Sequence, residues 1–184
     1  MLISYLSMLD TYENKSKFEL IYKKYNKLMF YIANGILKNI LWAEDAVHDS
    51  FVKIIENLDK IQDVDCYRTR SWIVIIVRNQ SINLYNHRKK RWYIPLEKVE
   101  YMIYEDFEDV LLEYKDNTNL EQLGGLGKAI MKLPIIYRDI VTLKFIHELT
   151  NKEIATLLNI NEATVRKRIE RAKQRIQVSL EKEK

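Results

Sequence analysis

The residues best equipped for chemistry lie between Leu149 and Ile176, in the run LTNKEIATLLNINEATVRKRIERAKQRI. Six Lys/Arg fall within the ten residues 166–175 of that run. Val165, Ile169, Ala172 and Ile176 recur at steps of four, three and four, which puts them on one face of a helix. Lys167, Glu170, Arg171 and Gln174 then share the opposite face. A helix with one apolar stripe and one basic, hydrogen-bonding stripe is what a DNA major groove admits. A lone basic run would read as a solvated helix. Here a shorter helix, opened by Thr150 and running through Glu153 to Leu158, and a three-residue turn precede it, so the spacing predicts a helix-turn-helix over 150–177. Thr150 with Glu153 three residues on, and Asn161 before the second helix, are helix-start signals.

Catalytic groupings are missing. His48, His87 and His147 are scattered, no HExxH occurs, and no Ser or Cys sits in a nucleophile motif. Each histidine reads as a surface or packing residue. Cys66 is alone, which excludes an internal disulfide and a Cys-rich zinc site. The glycines at 124, 125 and 127 lack the strand and the Lys-Ser/Thr of a phosphate cradle, so they read as a loop. No enzyme, metal, cofactor or small-molecule substrate is expected.

Apolar content of 47% and charged content of 30% are those of a globular protein, and four Gly and two Pro in 184 residues favour an all-α chain. The first ten residues lack the basic region and cleavage site of a signal peptide, and no stretch reaches the ~20 apolar residues of a membrane span. A cytoplasmic setting without direct membrane insertion is the expectation. Charge is distributed unevenly. Residues 1–93 hold 15 Lys/Arg against 10 Asp/Glu, residues 94–117 hold 2 against 8, and residues 118–184 hold 13 against 8. Two basic segments flanking an acidic one suggest two domains that meet a polyanion, joined by a linker that does not.

In the first segment Phe18, Tyr22, Tyr25, Met29, Ile32 and Ile36 predict a helix of about twenty residues. A second runs from about Ala43 to Leu58, with Val47, Phe51, Ile54 and Leu58 inside and Asp45, Asp49, Lys53 (or Val52) and Glu56 outside. Residues 60–70 read as a loop. Ile73 to Val77 is a β-branched run that propensity alone would make a strand, but no sheet partner is near, so it reads as helix to about Asn86. His87 to Arg91 is a basic cluster, followed by Trp92 and Tyr93. In the acidic segment, which Pro95 opens, Tyr101, Tyr104 and Phe107 allow a short helix. Asn117, Thr118, Asn119 and the glycines look like breakers. Leu126, Ala129, Ile130 and Leu133 form an amphipathic turn or two, and Pro134 suits the start of a helix through Ile136, Ile140 and Leu143.

With both ends in view the chain resembles the extracytoplasmic-function (ECF) sigma factors, over about 15–93 and 118–180. The matching residues are Ala43-Glu44-Asp45-Ala46-Val47, Ser50-Phe51-Val52-Lys53, Ser71-Trp72-Ile73 and Arg78-Asn79 in the first half. In the second they are Leu133-Pro134, Arg138-Asp139, Leu143, Glu153-Ile154-Ala155, Thr164-Val165-Arg166, Arg168-Ile169 and Arg171-Ala172. The resemblance implies that 1–93 is sigma region 2, docking on the β′ clamp helices of RNA polymerase core through Asp45, Asp49, Lys53 and Glu56. It implies −10 recognition by a base pocket around Asp63, Tyr67, Arg68 and Arg70, with Arg78, Asn79, Asn83 and Arg88 holding DNA backbone. Trp72 matches the family's tryptophan but reads as core.

Region 4, residues 118–184, would pack on the polymerase β flap and read the −35 element through Lys152, Asn161, Arg166, Lys167, Glu170 and Arg171. Arg171 suits guanine edges, Glu170 a cytosine amino group and the rest phosphates. The acidic segment 94–117 resembles the family's linker, which runs towards the RNA exit channel. Many relatives are held by an anti-sigma factor, so one is a candidate partner. His48, Asn83 and Asn159 stand where the family often has Gln, Asp and Gly; Asn tolerates the left-handed turn that glycine would make. The alternative is a stand-alone helix-turn-helix regulator that binds an operator as a dimer. It would need a ligand pocket or heptad seam in the first half, and neither is evident. A nucleic-acid-processing enzyme would need carboxylates clustered with His.

Overall fold

A computed structural model describes residues 2–88 and 124–181. The chain divides into two units, Met1–Pro95 and Leu96–Lys184. Several sequence expectations lie outside the described residues: Trp92 and Tyr93, the acidic segment 94–117 with Tyr101, Tyr104 and Phe107, and the breakers at 117–119. Every regular element among the described residues is helical.

The first unit is a bundle of three long helices with a short one laid on it. Helix α1 is Leu2–Leu6, α2 is Tyr12–Leu37, α3 is Ile40–Ile55 and α4 is Tyr67–Arg88. Helix α2 opens where the Thr11 hydroxyl accepts the Asn14 N–H at 3.2 Å. It closes at Lys38, whose left-handed φ of 49° lets its N–H reach the Asn34 carbonyl at 2.8 Å. The next residue, Asn39, caps α3 by accepting the Trp42 N–H at 3.0 Å. That cap sets the start of α3 three residues earlier than apolar periodicity suggested, because Ile40 and Leu41 face outward. The α-helix also ends at Ile55 rather than Leu58, and Leu58–Lys60 forms a 3₁₀ turn that still buries Leu58.

Phe18, Ile21, Tyr25, Met29 and Ile32 of α2, Ala43, Ala46, Phe51 and Ile54 of α3, and Ile73, Ile76 and Val77 of α4 are all almost fully buried. Helix α4 packs against both α2 and α3, which explains its β-branched run. Trp72, Ile73, Ile75, Ile76 and Val77 are buried together because more than half of the helix circumference lies against neighbours. Trp72 is core, as its sequence reading held. The N-terminus of α4 corrects the loop reading of 60–70. The Cys66 carbonyl accepts the Arg70 N–H at 3.2 Å and the Cys66 thiol accepts the Thr69 N–H at 3.4 Å, so the helix begins at Tyr67.

In the second unit α5 is Gly125–Met131, α6 is Ile135–Val141, α7 is Asn151–Leu158 and α8 is Glu162–Glu181. Gly125 and Gly127, read as breakers, instead lie in the first turn of α5. Arg138 explains how so short a helix ends cleanly. Its guanidinium donates to the carbonyls of Met131 at 2.6 Å and Leu133 at 3.0 Å, groups with no partner inside α5. Pro134 precedes α6, which relaxes into a π turn over Thr142–Ile146. Leu133, Tyr137, Val141 and Ala172 form a core cluster, with Ile130, Ile136 and Ile176 packed on it.

Candidate nucleic-acid interface

The second unit carries the predicted helix-turn-helix. The Thr150 hydroxyl accepts the Glu153 N–H at 3.2 Å, and the Glu153 carboxylate accepts the Thr150 N–H at 2.8 Å, a complete capping box. Helix α7 ends at Asn159, whose φ of 53° is left-handed. The Asn161 carboxamide oxygen accepts the Thr164 N–H at 2.7 Å and opens α8. The turn therefore spans Asn159, Ile160 and Asn161, and asparagine does at 159 what glycine would do.

Val165 and Ala172 of α8 are fully buried, with Ile169 and Ile176 half-buried beside them. Lys167, Glu170, Arg171 and Gln174 are exposed on the opposite side. This stripe presents two cationic side chains, one carboxylate and one carboxamide, the donor and acceptor set that base edges and phosphates require. The other candidates are placed differently. Arg166 lies on the flank, where its guanidinium donates to Glu162 one turn back at 3.0 Å. Asn161 is exposed, but its oxygen is engaged in capping. Lys152 is exposed in the first turn of α7. Lys173 and Arg175 belong to packing: they lie over the rings of Phe145 and Tyr137 at 5.9 Å and 5.2 Å.

In the first unit the −10 candidates divide. Asp63, Tyr67 and Arg68 are exposed where the loop meets α4, and Arg70 is half-buried. By helical spacing Tyr67, Arg70, Arg78 and Arg88 fall on one stripe of α4. Asn79 and Asn83 lie across the helix from that stripe and are half-buried, and the Asn79 amide donates to the Ile75 carbonyl at 2.9 Å. Asp63 organises its own loop, its carboxylate accepting the Asp65 N–H at 2.8 Å.

The carboxylate face of α3 is exposed at Asp45, Asp49 and Glu56, with Lys53 half-buried and 3.9 Å from Glu56. Arg88 joins this face to α4. Its guanidinium pairs with Asp45 at 2.6 Å and lies 5.3 Å from the ring of Trp42. A residue read as a DNA contact and one read as a polymerase contact thus hold each other. Beneath the same helix, the Tyr5 hydroxyl lies 2.8 Å from His48 Nδ1. Burial, with Tyr22 and Asp49 nearby, pushes the Tyr5 phenol up to about 12.

Sequence reasoning missed two features. One is α1 with this Tyr5 contact, because five residues are too few to show a period. The other is an apolar groove of about 640 Å³ in the second unit, lined by Leu126, Ile130, Val141, Phe145, Ile176 and Leu180 among others. Its walls come from α5, from α6 with its π turn, and from the C-terminal half of α8, so no single periodicity could reveal it. Among the described residues no group of three or more His, Cys, Asp or Glu is arranged to hold a metal ion, and no helix is long and apolar enough to cross a membrane.

Residues 21–93 match the family model "Sigma-70 region 2" and residues 123–176 match "Sigma-70, region 4". Among curated proteins, the chain is 28% identical over 160 residues to the ECF RNA polymerase sigma factor SigW of Bacillus subtilis, covering 85% of this chain and 84% of SigW. It is 28% identical over 159 residues to RNA polymerase sigma factor SigV of that bacterium, covering 86% and 88%. To the ECF RNA polymerase sigma factor SigM it is 24% identical over 156 residues, covering 85% and 90%. The region 2 match covers α3, α4 and most of α2, the region 4 match covers α7 and most of α8, and the two stand in that order in one chain: it belongs to the sigma-70 family, in its ECF group.

Proposed function

We propose how this alternative sigma factor, which binds RNA polymerase core and directs promoter-specific transcription initiation, divides its work between its two units. The observation that carries the reading is the exposed Lys167, Glu170, Arg171 and Gln174 stripe on a fully capped helix-turn-helix. In this reading α8 enters the major groove at −35, Arg171 reads guanine, Glu170 accepts from cytosine, and Lys167, Lys152 and Arg166 meet phosphates. The Arg166 pair with Glu162 is exposed and worth at most about 1 kcal/mol, so a phosphate can displace it. The apolar groove of the second unit receives the polymerase β flap.

The first unit docks on the β′ clamp helices through Asp45, Asp49, Lys53 and Glu56. It opens the −10 element with the loop before α4 and the stripe Tyr67, Arg70, Arg78 and Arg88. An exposed aromatic such as Tyr67 suits stacking on an unpaired base, which every base permits through its π face. An anti-sigma factor would act by covering the groove or the carboxylate face. The protein works by binding and positioning, and the chemistry of RNA synthesis belongs to the polymerase.

Run-off transcription tests this reading. Purified protein and bacterial core polymerase are combined on DNA from upstream of its own gene. A specific transcript requiring both components is the expected result. Tight, polymerase-independent binding to that DNA without a transcript would instead favour an operator-binding regulator.

A further inference from the structure

The six residues Ile61 to Cys66 between α3 and α4 form no regular structure, yet side chains of two helices fix them at many points. Lys17 of α2 donates to the Ile61 carbonyl at 3.1 Å. Tyr25 of α2 donates to the Val64 carbonyl at 2.7 Å. Thr69 of α4 donates to the Asp63 carbonyl at 2.6 Å. Lys24 of α2 pairs with the Asp65 carboxylate, and Asp63 accepts the Asp65 N–H at 2.8 Å. The backbone carbonyls of 61, 63 and 64 are thereby drawn against α2 and α4, while Gln62, Asp63 and Asp65 remain exposed.

Stability alone does not require this arrangement. The Tyr25 ring is already buried at 1% exposure and would stay so without its hydroxyl. The Val64 carbonyl lies in a half-exposed residue that water could satisfy. What the bonds add is a single loop geometry. A mobile loop would lose about 1–2 kcal/mol of backbone entropy per residue on closing around a ligand, and a fixed one does not. Recognition of a base edge depends on donors and acceptors held within a fraction of an ångström.

We infer that Tyr25 and Thr69, with Lys17 and Lys24, are positioning residues that hold the 61–66 loop and the adjoining Tyr67 and Arg68 in the shape that selects a base at −10. This inference rests on the reading of that loop as the −10 reader. None of the four needs to touch DNA. They act through the peptide planes they fix.

The test uses the full chain with bacterial core polymerase on its own promoter and on templates carrying each single-base change across the −10 element. Tyr25→Phe and Thr69→Val remove one hydroxyl each and keep the shape of the core. Each is expected to reduce discrimination between preferred and substituted −10 bases by about three- to tenfold, the effect of one net hydrogen bond. Core affinity and discrimination at −35 should be unchanged, and Thr69→Ser, which keeps the hydroxyl, should retain discrimination. Should Tyr25→Phe fail to fold, the Thr69→Val and Thr69→Ser pair decides. Unchanged −10 discrimination in folded Thr69→Val overturns the inference, as does an equal loss at −10, at −35 and in core binding. Tyr67→Ala and Arg68→Ala separate the two levels of the reading. If they change −10 discrimination while the hydroxyl variants do not, the loop reads DNA but needs no positioning. If they too leave it unchanged, the loop is not the −10 reader and both readings fall.

Discussion

At the residue scale, base reading and phosphate holding leave different signatures. Arg171 is exposed opposite the buried stripe of α8, whereas Arg166 sits on the flank with Glu162. Arg171→Ala should therefore cost about 1–3 kcal/mol in binding and relax selectivity at one −35 position. Competition binding against single-base variants of the −35 element reads this, and an equal loss on every sequence would make Arg171 a phosphate contact. Tyr5 gives a second prediction, through proton linkage. Burial favours the neutral phenol, so the folded value of about 12 stands above the ordinary value of 10.0. The folded state then holds the proton more tightly than the unfolded chain. The resulting stability is fully present below pH 10 and is lost as pH rises from about 10 to 12. Tyr25, also raised by burial, contributes in the same direction. Tyr5→Phe should flatten the fall of stability across that window, as read from denaturant midpoints at each pH. A slope identical to that of the unsubstituted protein would mean that Tyr5 ionises as freely folded as unfolded.

At the element scale, helix ends show how far local chemistry governs this chain. Asparagine occupies the left-handed position at 159 at little cost, but Glu148, with φ of 57°, has no such tolerance. It lies where the chain leaves the π turn, and the Leu149 N–H closes back on the Leu143 carbonyl at 3.1 Å. Glycine is favoured at such a terminus, so Glu148→Gly should stabilise the second unit by about 0.5–1 kcal/mol. Thermal unfolding of the full chain followed by circular dichroism would show it, and a lower midpoint would mean that the Glu148 side chain makes a contact worth more than the strain. The same ends explain what was legible in the sequence. Thr150, Glu153 and Asn161 announce their caps by type and spacing, so the starts of both helices were legible, whereas α8 runs to Glu181, beyond the expected 177. Ile73 to Val77 could be read as helix only by its neighbours, because its propensity is for strand and tertiary burial overrides it. The start of α3 was hidden by Ile40 and Leu41, apolar residues that the fold leaves outside. The glycines of α5 misled for the opposite reason, since Arg138, seven residues beyond the end of α5, supplies the termination that α5 itself lacks.

At the scale of the whole molecule, the proposed function rests on surfaces that no single element holds. The apolar groove of the second unit needs three helices, and the loop before α4 needs α2 to shape it, so neither was legible from periodicity. The carboxylate face of α3 was legible, being four residues at helical steps on one helix, but its coupling to Arg88 was not. That coupling decides how the face should be tested. Asp45 is paired with Arg88, so a change there disturbs the proposed polymerase face and the α4 stripe together. Asp49 is one turn further along and exposed. Asp49→Arg reverses a charge in the middle of the face without breaking the Asp45 pair. An exposed substitution of this kind changes stability by no more than about 0.5 kcal/mol, whereas like charge placed across an interface costs several-fold more. The expected outcome is a loss of core polymerase affinity of about tenfold or more, with an unfolding midpoint near that of the unsubstituted protein and intact binding of −35 duplex by the second unit. The loss should shrink as salt is raised, because screening acts on the repulsion that the arginine introduces. Unchanged core affinity in a folded Asp49→Arg protein would remove α3 from the docking surface. The exposed apolar residues beside it, Leu41 on the same stripe as Asp45 and Asp49 among them, would then need another partner.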